Sequence, residues 1–585
     1  MGIEEALRAV DGIFERAGAE GTIPGMAYGV VIGGELVHAR GLGSLRDGEH
    51  RTPDADSVFR IASMTKSFTA STAVLLRDEG LLRFDEPVGT YVPALEGLRG
   101  PTADSPPITV AHLLTMASGL PTDDPWGDRL QGMDLERFAE LLEGGFDGAW
   151  APGTTFEYSN LGYGMIGRVL TNVSGREYRD LVRTRLLDPL GMGATVYTAD
   201  EVATDRLAMG YLRRDDAFVE EPFDGYGALA SMGGIFSSVR DLARWVAGFT
   251  DAFPPRDDPQ GPHPLSRASR REMQQVHRSF DPELRRSSPD AAPELISGGY
   301  GLGLFVTHDL RFGHVVGHSG GYPGFGSNMR WHPASGIGVI ALGNRTYAPM
   351  SAYTAEALSA LVTREAAPIR IVVPWESTRA ARAHMEGLLR AWDDDVASEV
   401  FAFNVALDDP LERRRAEIER IGERHGELSP DPDLPATSDS PAHLVWWLRG
   451  ERGGRVRVEI MLTGERPPRV QTFELRAVPD PSPAMAEAIR RVAAQTVADA
   501  PSWPDVLPLG DGVDRVVVDR GLRAASAVYG PLTAGPAIRG DGDADVTVEL
   551  RGAHGTVELR LVLDRESGAF TTVSLTPRTV SAPRA

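Results

Sequence analysis

"RIASMTKSFT", residues 60–69, contains the only lysine of a 585-residue chain; the other 59 of its 60 Lys and Arg residues are arginine. The two cations are not interchangeable. A guanidinium stays protonated at any pH a folded protein tolerates, whereas a buried or crowded ammonium gives up its proton and becomes a base. Drift toward arginine codons accounts for the 59 arginines and leaves Lys66 to be explained. Ser63 stands three residues before it, at the head of the Pro-free run "MTKSFTASTAVLLRDEG", which ends at Gly80, a helix stop. Three residues is nearly one helical turn, so the spacing predicts Ser63 and Lys66 on one face. At a helix N-terminus, free amides and the dipole favour developing negative charge. A neighbouring amine supplies the base without which a serine hydroxyl is too weak to attack an acyl group. Taken alone, the pair also fits a plain N-cap serine on a surface helix.

Two later stretches narrow the choice. "PGTTFEYSNLGYGMIG" carries Tyr158-Ser159-Asn160, and "GHSGGYPGFGSN" carries His318-Ser319-Gly320 on a predicted strand. With these three motifs in this order, the chain resembles the serine β-lactamase and penicillin-binding protein superfamily. The resemblance is to its class C branch, which includes D-aminopeptidases, DD-peptidases, esterases and acyltransferases. It covers roughly residues 5–365 and extends to "HLLTMASGLP", "ALASMGGIFSSVRDLARW" and "IALGNRTYAP". It implies Ser63 as nucleophile, Lys66 and Tyr158 as the proton-handling pair, and Asn160 as a ligand for Lys66 and the substrate amide. His318, Ser319 and Gly320 would border the substrate, with His318 where β-lactamases of the branch carry the lysine of Lys-Thr-Gly. The backbone N–H groups of Ser63 and Gly321 would form the oxyanion hole. The implied activity is hydrolysis of an ester or amide through an acyl-enzyme on Ser63, with poor β-lactamase activity. An acyltransferase using the same intermediate and an inactive binding protein on the same fold are the alternatives.

The chemistry of these residue types agrees. A phenol hydrogen-bonded near an ammonium has its phenolate favoured, and either that phenolate or the neutral amine can take the serine proton. The two groups titrate together, so residue types alone leave the base open between Lys66 and Tyr158. Two aligned amides would hold a tetrahedral oxyanion, each worth roughly 3–4 kcal/mol of barrier. On the strand "YGLGLFVTHDL", Phe305 falls near where a carboxypeptidase of the branch would carry an arginine. A neutral imidazole at His318 binds carboxylate poorly and Phe305 not at all, which leaves Arg311 as the basic residue of this segment that could substitute. Substrates with an uncharged leaving side are therefore expected.

Composition removes other classes of function. The formal net charge of −22 repels phosphate backbones and anionic lipid, so neither nucleic acid nor membrane is expected as a partner, and the expected ligand is a small-molecule or short-peptide acyl substrate. With no cysteine, disulfides, thiolate metal sites and a Cys nucleophile are excluded. His314 and His318 share a strand face but lack an evident third ligand, so no metal and no cofactor are expected. The amphipathic acidic start "MGIEEALRAVDGIFERAG" lacks the pattern of a signal peptide, and the chain reads as cytoplasmic.

The fold expected is α/β of the α+β kind: an antiparallel sheet flanked by helices plus a helical lobe, followed by two small α+β modules. "MAYGVV" and "ELVHARGLG" flank Gly33-Gly34 as a hairpin, and a second strand group lies between residues 300 and 344. Joining both groups in one sheet puts the cleft between sheet and lobe. The Pro-, Asp-, Arg- and Ser-rich residues 252–294 read as a long surface excursion. Past residue 368 the texture changes. "LRGERGGRVRVEIMLTGERPPRVQTFEL", from 448, repeats weakly as "LRGAHGTVELRLVLDRESGAFTTVSL", from 550. The expected domains are thus 1–368, 369–480 and 481–585. Trp446 and Trp447 are expected to serve structure rather than line a pocket.

Overall fold

The computed structural model describes all residues except 1–2, 286–293, 310–312, 365–371, 497–506, 554 and 578–585, and the chain divides into two compact units, Met1–Pro368 and Ile369–Ala585. Arg311 lies outside the described residues.

The first unit is organised by a nine-stranded antiparallel sheet. Its strands are β1 Gly25–Ile32, β2 Glu35–Gly43, β3 Arg278–Ser279, β4 Glu283–Arg285, β5 Glu294–Tyr300, β6 Phe305–Asp309, β7 Gly313–Tyr322, β8 Phe325–His332 and β9 Ile337–Gly343. They run in the order β2-β1-β9-β8-β7-β6-β5-β3, with β4 paired to β5. The hairpin β1–β2 turns at Gly33-Gly34, whose φ values of +58° and +88° are those of a tight two-residue turn that side chains resist. The second neighbour of β1 is β9, with Met26 opposite Gly343 and Ile32 opposite Ile337, so the two distant strand groups close into one sheet.

Period-two alternation gives the sheet two apolar faces. Tyr28, Val30, Val315, Val339 and Ala341 pack with the helices α1 Ile3–Ala19 and α6 Met350–Arg364. Val31, Val316, Met329, Trp331, Ile340 and Leu342 pack into the larger core shared with α2 Thr65–Asp78, α3 Asn160–Ser174 and α4 Val239–Thr250. Every residue of α2 from Thr65 to Leu76 is buried. A helix enclosed all round is a core element, which removes the surface-helix alternative for Lys66.

The stretch 252–294 differs from the expected surface excursion. It contains helix α5 Arg267–Met273, in which Arg267, Ser269, Arg270 and Met273 are buried. Its polar sequence disguised this because the buried cations are paired: Arg270 Nη2 lies 3.2 Å from Asp251 Oδ2, and Arg267 Nε lies 3.2 Å from the same oxygen. Long basic side chains bury their stems once the heads are satisfied.

The second unit holds two four-stranded antiparallel sheets in simple sequential order. The first, β10 Leu428–Pro430, β11 His443–Gly450, β12 Arg455–Leu462 and β13 Val470–Val478, follows helices α7 Glu376–Arg390 and α8 Leu411–His425. The second, β14 Thr533–Gly540, β15 Asp545–Gly552, β16 Gly555–Leu563 and β17 Phe570–Pro577, follows α9 Pro483–Ala494 and α10 Arg515–Tyr529. Both Leu-Arg-Gly triplets close the second strand of their sheet. Trp446 and Trp447 are core residues, one in each of this unit's two apolar clusters. No helix among the described residues is long and apolar enough to cross a membrane.

Candidate active site

Ser63 lies in a short 3-10 turn, Ala62–Met64, that runs directly into α2. Ala62 is held at φ +49°, a left-handed conformation that costs a non-glycine residue about 1 kcal/mol or more and is tolerated where packing dictates it. The packing comes from β7 and β8. The Ser327 hydroxyl donates to the Ile61 carbonyl at 2.7 Å, and a Cβ on Gly320 would fall 2.1 Å from that same oxygen. Only glycine lets the strand approach so closely. On the other side the Arg60 guanidinium is buried between the rings of Tyr322 and Phe236, 4.1 and 4.9 Å from their centroids, and pairs with Asp224 at 3.3 Å.

The three motifs meet here. Lys66 Nζ donates to Ser63 Oγ at 3.0 Å, to Asn160 Oδ1 at 2.7 Å and to the Met232 carbonyl at 2.8 Å. Lys66 is fully buried, and that burial, opposed by the carboxylates of Asp124, Asp128 and Asp123, brings its pKa down to about 8. Asn160 opens α3, with Ser159 as its N-cap accepting from the Gly162 amide at 3.1 Å. Tyr158, just ahead of that cap, offers Lys66 its ring face, with Nζ 4.9 Å from the centroid.

Tyr158 is placed where its phenolate is disfavoured. Burial pushes its pKa well above 10, and the hydrogen bond with Ser63 offsets this only in part. Of the two groups left open as base, Lys66 is thus the one whose proton is easily lost.

His318 is buried and neutral: desolvation, and secondarily the nearby Lys66 charge, lower its pKa to about 3. Its Nε2 meets the Tyr300 hydroxyl at 3.0 Å and its Nδ1 the Ser319 carbonyl at 2.6 Å. Parity along β7 puts His318 and Gly320 on the face of Val316, toward the lobe, and Ser319 on the face of Val315. The Ser319 hydroxyl accordingly accepts from Asn328 Nδ2 at 2.8 Å, away from Lys66. Phe305 stacks on Tyr158 at 6.3 Å and stands 5.2 Å from the His318 ring; Phe156 joins at 6.2 Å from Phe305 and Phe280 at 6.1 Å from Phe156. The wall beside Tyr158 is therefore aromatic.

Sequence reasoning missed the acidic loop. Asp123 accepts from the amides of Asn160 and Leu161 at 2.7 and 2.8 Å, Asp124 accepts from Asn160 Nδ2 at 2.6 Å, and Asp128 accepts from the Tyr347 hydroxyl at 2.6 Å. The sole signal was the density of aspartates in "PTDDPWGD", which reads equally as a solvated turn. Among the described residues no group of three or more His, Asp or Glu is placed to hold a metal ion.

Known proteins resemble this chain in sequence and in fold. The family model described as Beta-lactamase matches residues 10–364. The chain is 29% identical over 377 residues to the D-alanyl-D-alanine-carboxypeptidase/endopeptidase AmpH of Escherichia coli (strain K12), a match that covers 63% of this chain and 90% of AmpH. It is 25% identical over 344 residues to Protein flp of Staphylococcus aureus (strain MW2), covering 58% of this chain and 63% of flp. Among solved structures, the octameric penicillin-binding protein homologue from Pyrococcus abyssi aligns over 98% of both chains with a TM-score of 0.52 at 18% identity, a likeness of fold.

Proposed function

The chain belongs to the beta-lactamase family, within the serine β-lactamase and penicillin-binding protein superfamily, and on that premise we propose that it is a serine hydrolase that cleaves an ester or amide through an acyl-enzyme on Ser63. One observation carries the reading. Two of the three partners of Lys66 Nζ, the Asn160 amide oxygen and the Met232 carbonyl, can only accept hydrogen bonds. A neutral amine that gives its two N–H groups to them has its lone pair left for the Ser63 hydroxyl, 3.0 Å away. A pKa of about 8 leaves roughly a tenth of the amine neutral at pH 7.

In acylation Ser63 Oγ attacks the substrate carbonyl as its proton passes to Lys66. The amides of Ser63 and Gly321 would receive the oxyanion. The proton then goes to the leaving oxygen or nitrogen as the acyl bond to it breaks. In deacylation water repeats the sequence and returns Ser63 to its starting state. Tyr158, which burial keeps protonated, serves as a donor along this path rather than as the base.

Similarity to AmpH, a D-alanyl-D-alanine-carboxypeptidase/endopeptidase, supports a peptide-like acyl substrate. The aromatic wall of Phe305, Phe156 and Phe280 and the neutral His318 favour one that is uncharged beside the scissile bond. The test is labelling by a fluorescent phosphonate, compared between the wild type and Ser63→Ala, with a hydrolysis panel of p-nitrophenyl esters, D-amino acid amides and nitrocefin. Labelling lost in Ser63→Ala, with ester or amide turnover above nitrocefin turnover, is expected. Equal labelling of the two proteins would refute Ser63 as nucleophile.

A further inference from the structure

Lys66 works as a base only if the atom of Asn160 that faces it is the oxygen. An asparagine amide is nearly symmetric in shape, and rotation by half a turn would present Nδ2 to Nζ instead. Two donors would then face each other, and the amine would have to turn its lone pair toward Asn160 and away from Ser63. Something must therefore hold the amide in one orientation.

The loop Asp123–Asp128 does so. Asp124 Oδ1 accepts from Asn160 Nδ2 at 2.6 Å, while Asn160 Oδ1 accepts from Lys66 at 2.7 Å. A carboxylate has no proton to give, so its bond is possible to the NH2 end alone. Asp123 fixes the backbone of the same residue by accepting from the amides of Asn160 and Leu161. Gly127 lets the turn close on it: a Cβ there would stand 3.0 Å from Asn160 Cβ and 3.4 Å from its Nδ2.

We infer that Asp124 is a positioning residue for the Ser63–Lys66 pair, accepting a hydrogen bond from Asn160 Nδ2 so that the amide oxygen faces Lys66 and the amine's lone pair is left to Ser63. The inference rests on the acyl-enzyme reading. Asp124 has a second effect through its charge, since it is the largest of the three aspartate influences that hold the Lys66 proton against burial. The other groups around Lys66 are Asp123 and Asp128 on the same loop, Tyr158 ahead of α3, Tyr163 on α3 and His318 on β7.

Charge and orientation separate experimentally. In Asp124→Asn the side-chain oxygen still accepts from Asn160 but the charge is gone. In Asp124→Ala both are lost, and Asp124→Glu restores a carboxylate. The measurements are kcat and KM against pH on an uncharged p-nitrophenyl ester, and the rate of phosphonate labelling of full-length protein. With the charge removed, Lys66 loses its proton more easily, so the acid limb of kcat/KM in Asp124→Asn moves down by about one pH unit. Its plateau kcat stays within a few-fold of wild type. Asp124→Ala loses on the order of a hundredfold in kcat and in labelling rate with KM little changed, and Asp124→Glu recovers part of it. If wild type labels but the limb in Asp124→Asn does not move and Asp124→Ala labels at the wild-type rate, the inference is overturned and the acyl-enzyme reading stands. If Asp124→Ala does not fold, Asp124→Leu, which fills the volume of the carboxylate but accepts no hydrogen bond, takes its place, and labelling at the wild-type rate in that variant overturns the inference. A wild type that is never labelled overturns both.

Discussion

Lys66 Nζ lies over the face of the Tyr158 ring, 4.9 Å from its centroid, and 3.0 Å from the Ser63 hydroxyl oxygen. The ring face stabilises a cation without favouring a phenolate, and burial raises the phenol further. The lysine, by contrast, is brought down to about 8. This difference supports the proposed roles of Lys66 as base and Tyr158 as donor.

Lys66→Arg is expected to leave the fold intact, because the cavity keeps its cation, and to cut turnover by roughly 10²- to 10⁴-fold, because a guanidinium cannot give up its proton. Circular dichroism and ester hydrolysis check this together. More than a few per cent of activity in folded protein would count against Lys66 as base.

The burial of His318 predicts acid sensitivity. Its pKa is near 3 in the folded protein, against about 6.5 in an unfolded chain, so between those values the unfolded chain binds a proton that the folded one refuses. Stability from this residue is present above about pH 6.5 and is lost as pH falls toward 3, amounting to about 2 kcal/mol at pH 5. Urea unfolding at pH 7 and pH 5 should therefore show a larger loss for wild type than for His318→Gln, which keeps polar contacts but cannot take the charge. Equal losses would mean that His318 binds its proton freely in the fold.

Phe305→Arg should move substrate preference. An arginine on β6 beside His318 would offer a substrate carboxylate the partner that the aromatic wall denies it. The ratio of kcat/KM for a D-Ala-D-Ala peptide to that for a neutral ester is expected to rise about tenfold, the equivalent of about 1.4 kcal/mol. An unchanged ratio would place the substrate's leaving side elsewhere.

A protein truncated after Pro368 should still fold and acylate Ser63. Ser63, Asp124, Tyr158, Asn160, Met232 and His318 belong to the first unit, and its apolar clusters among the described residues are built from its own side chains. Phosphonate labelling with a melting curve tests this. A folded truncation that fails to label would assign part of the active site to the second unit.

Local spacing made much of this legible in sequence. The Ser63-x-x-Lys66 step, the Tyr158-Ser159-Asn160 and His318-Ser319-Gly320 motifs, the Gly33-Gly34 hairpin and the alternating strands each depend on neighbours a few residues apart, and period and turn chemistry encode such relations directly. Tertiary structure decided the rest. The Met232 carbonyl reaches Lys66 across 166 residues and the Asp124 carboxylate reaches Asn160 across 36, distances over which no period carries information. Burial, which separates the proton affinities of Lys66, Tyr158 and His318, is set by every element packed around them. The same holds for α5, whose arginines read as solvent-facing until Asp251 comes within 3.2 Å. Residue types in order determined which groups could do acyl chemistry; packing, by removing water and fixing partners, decided which of them holds the proton.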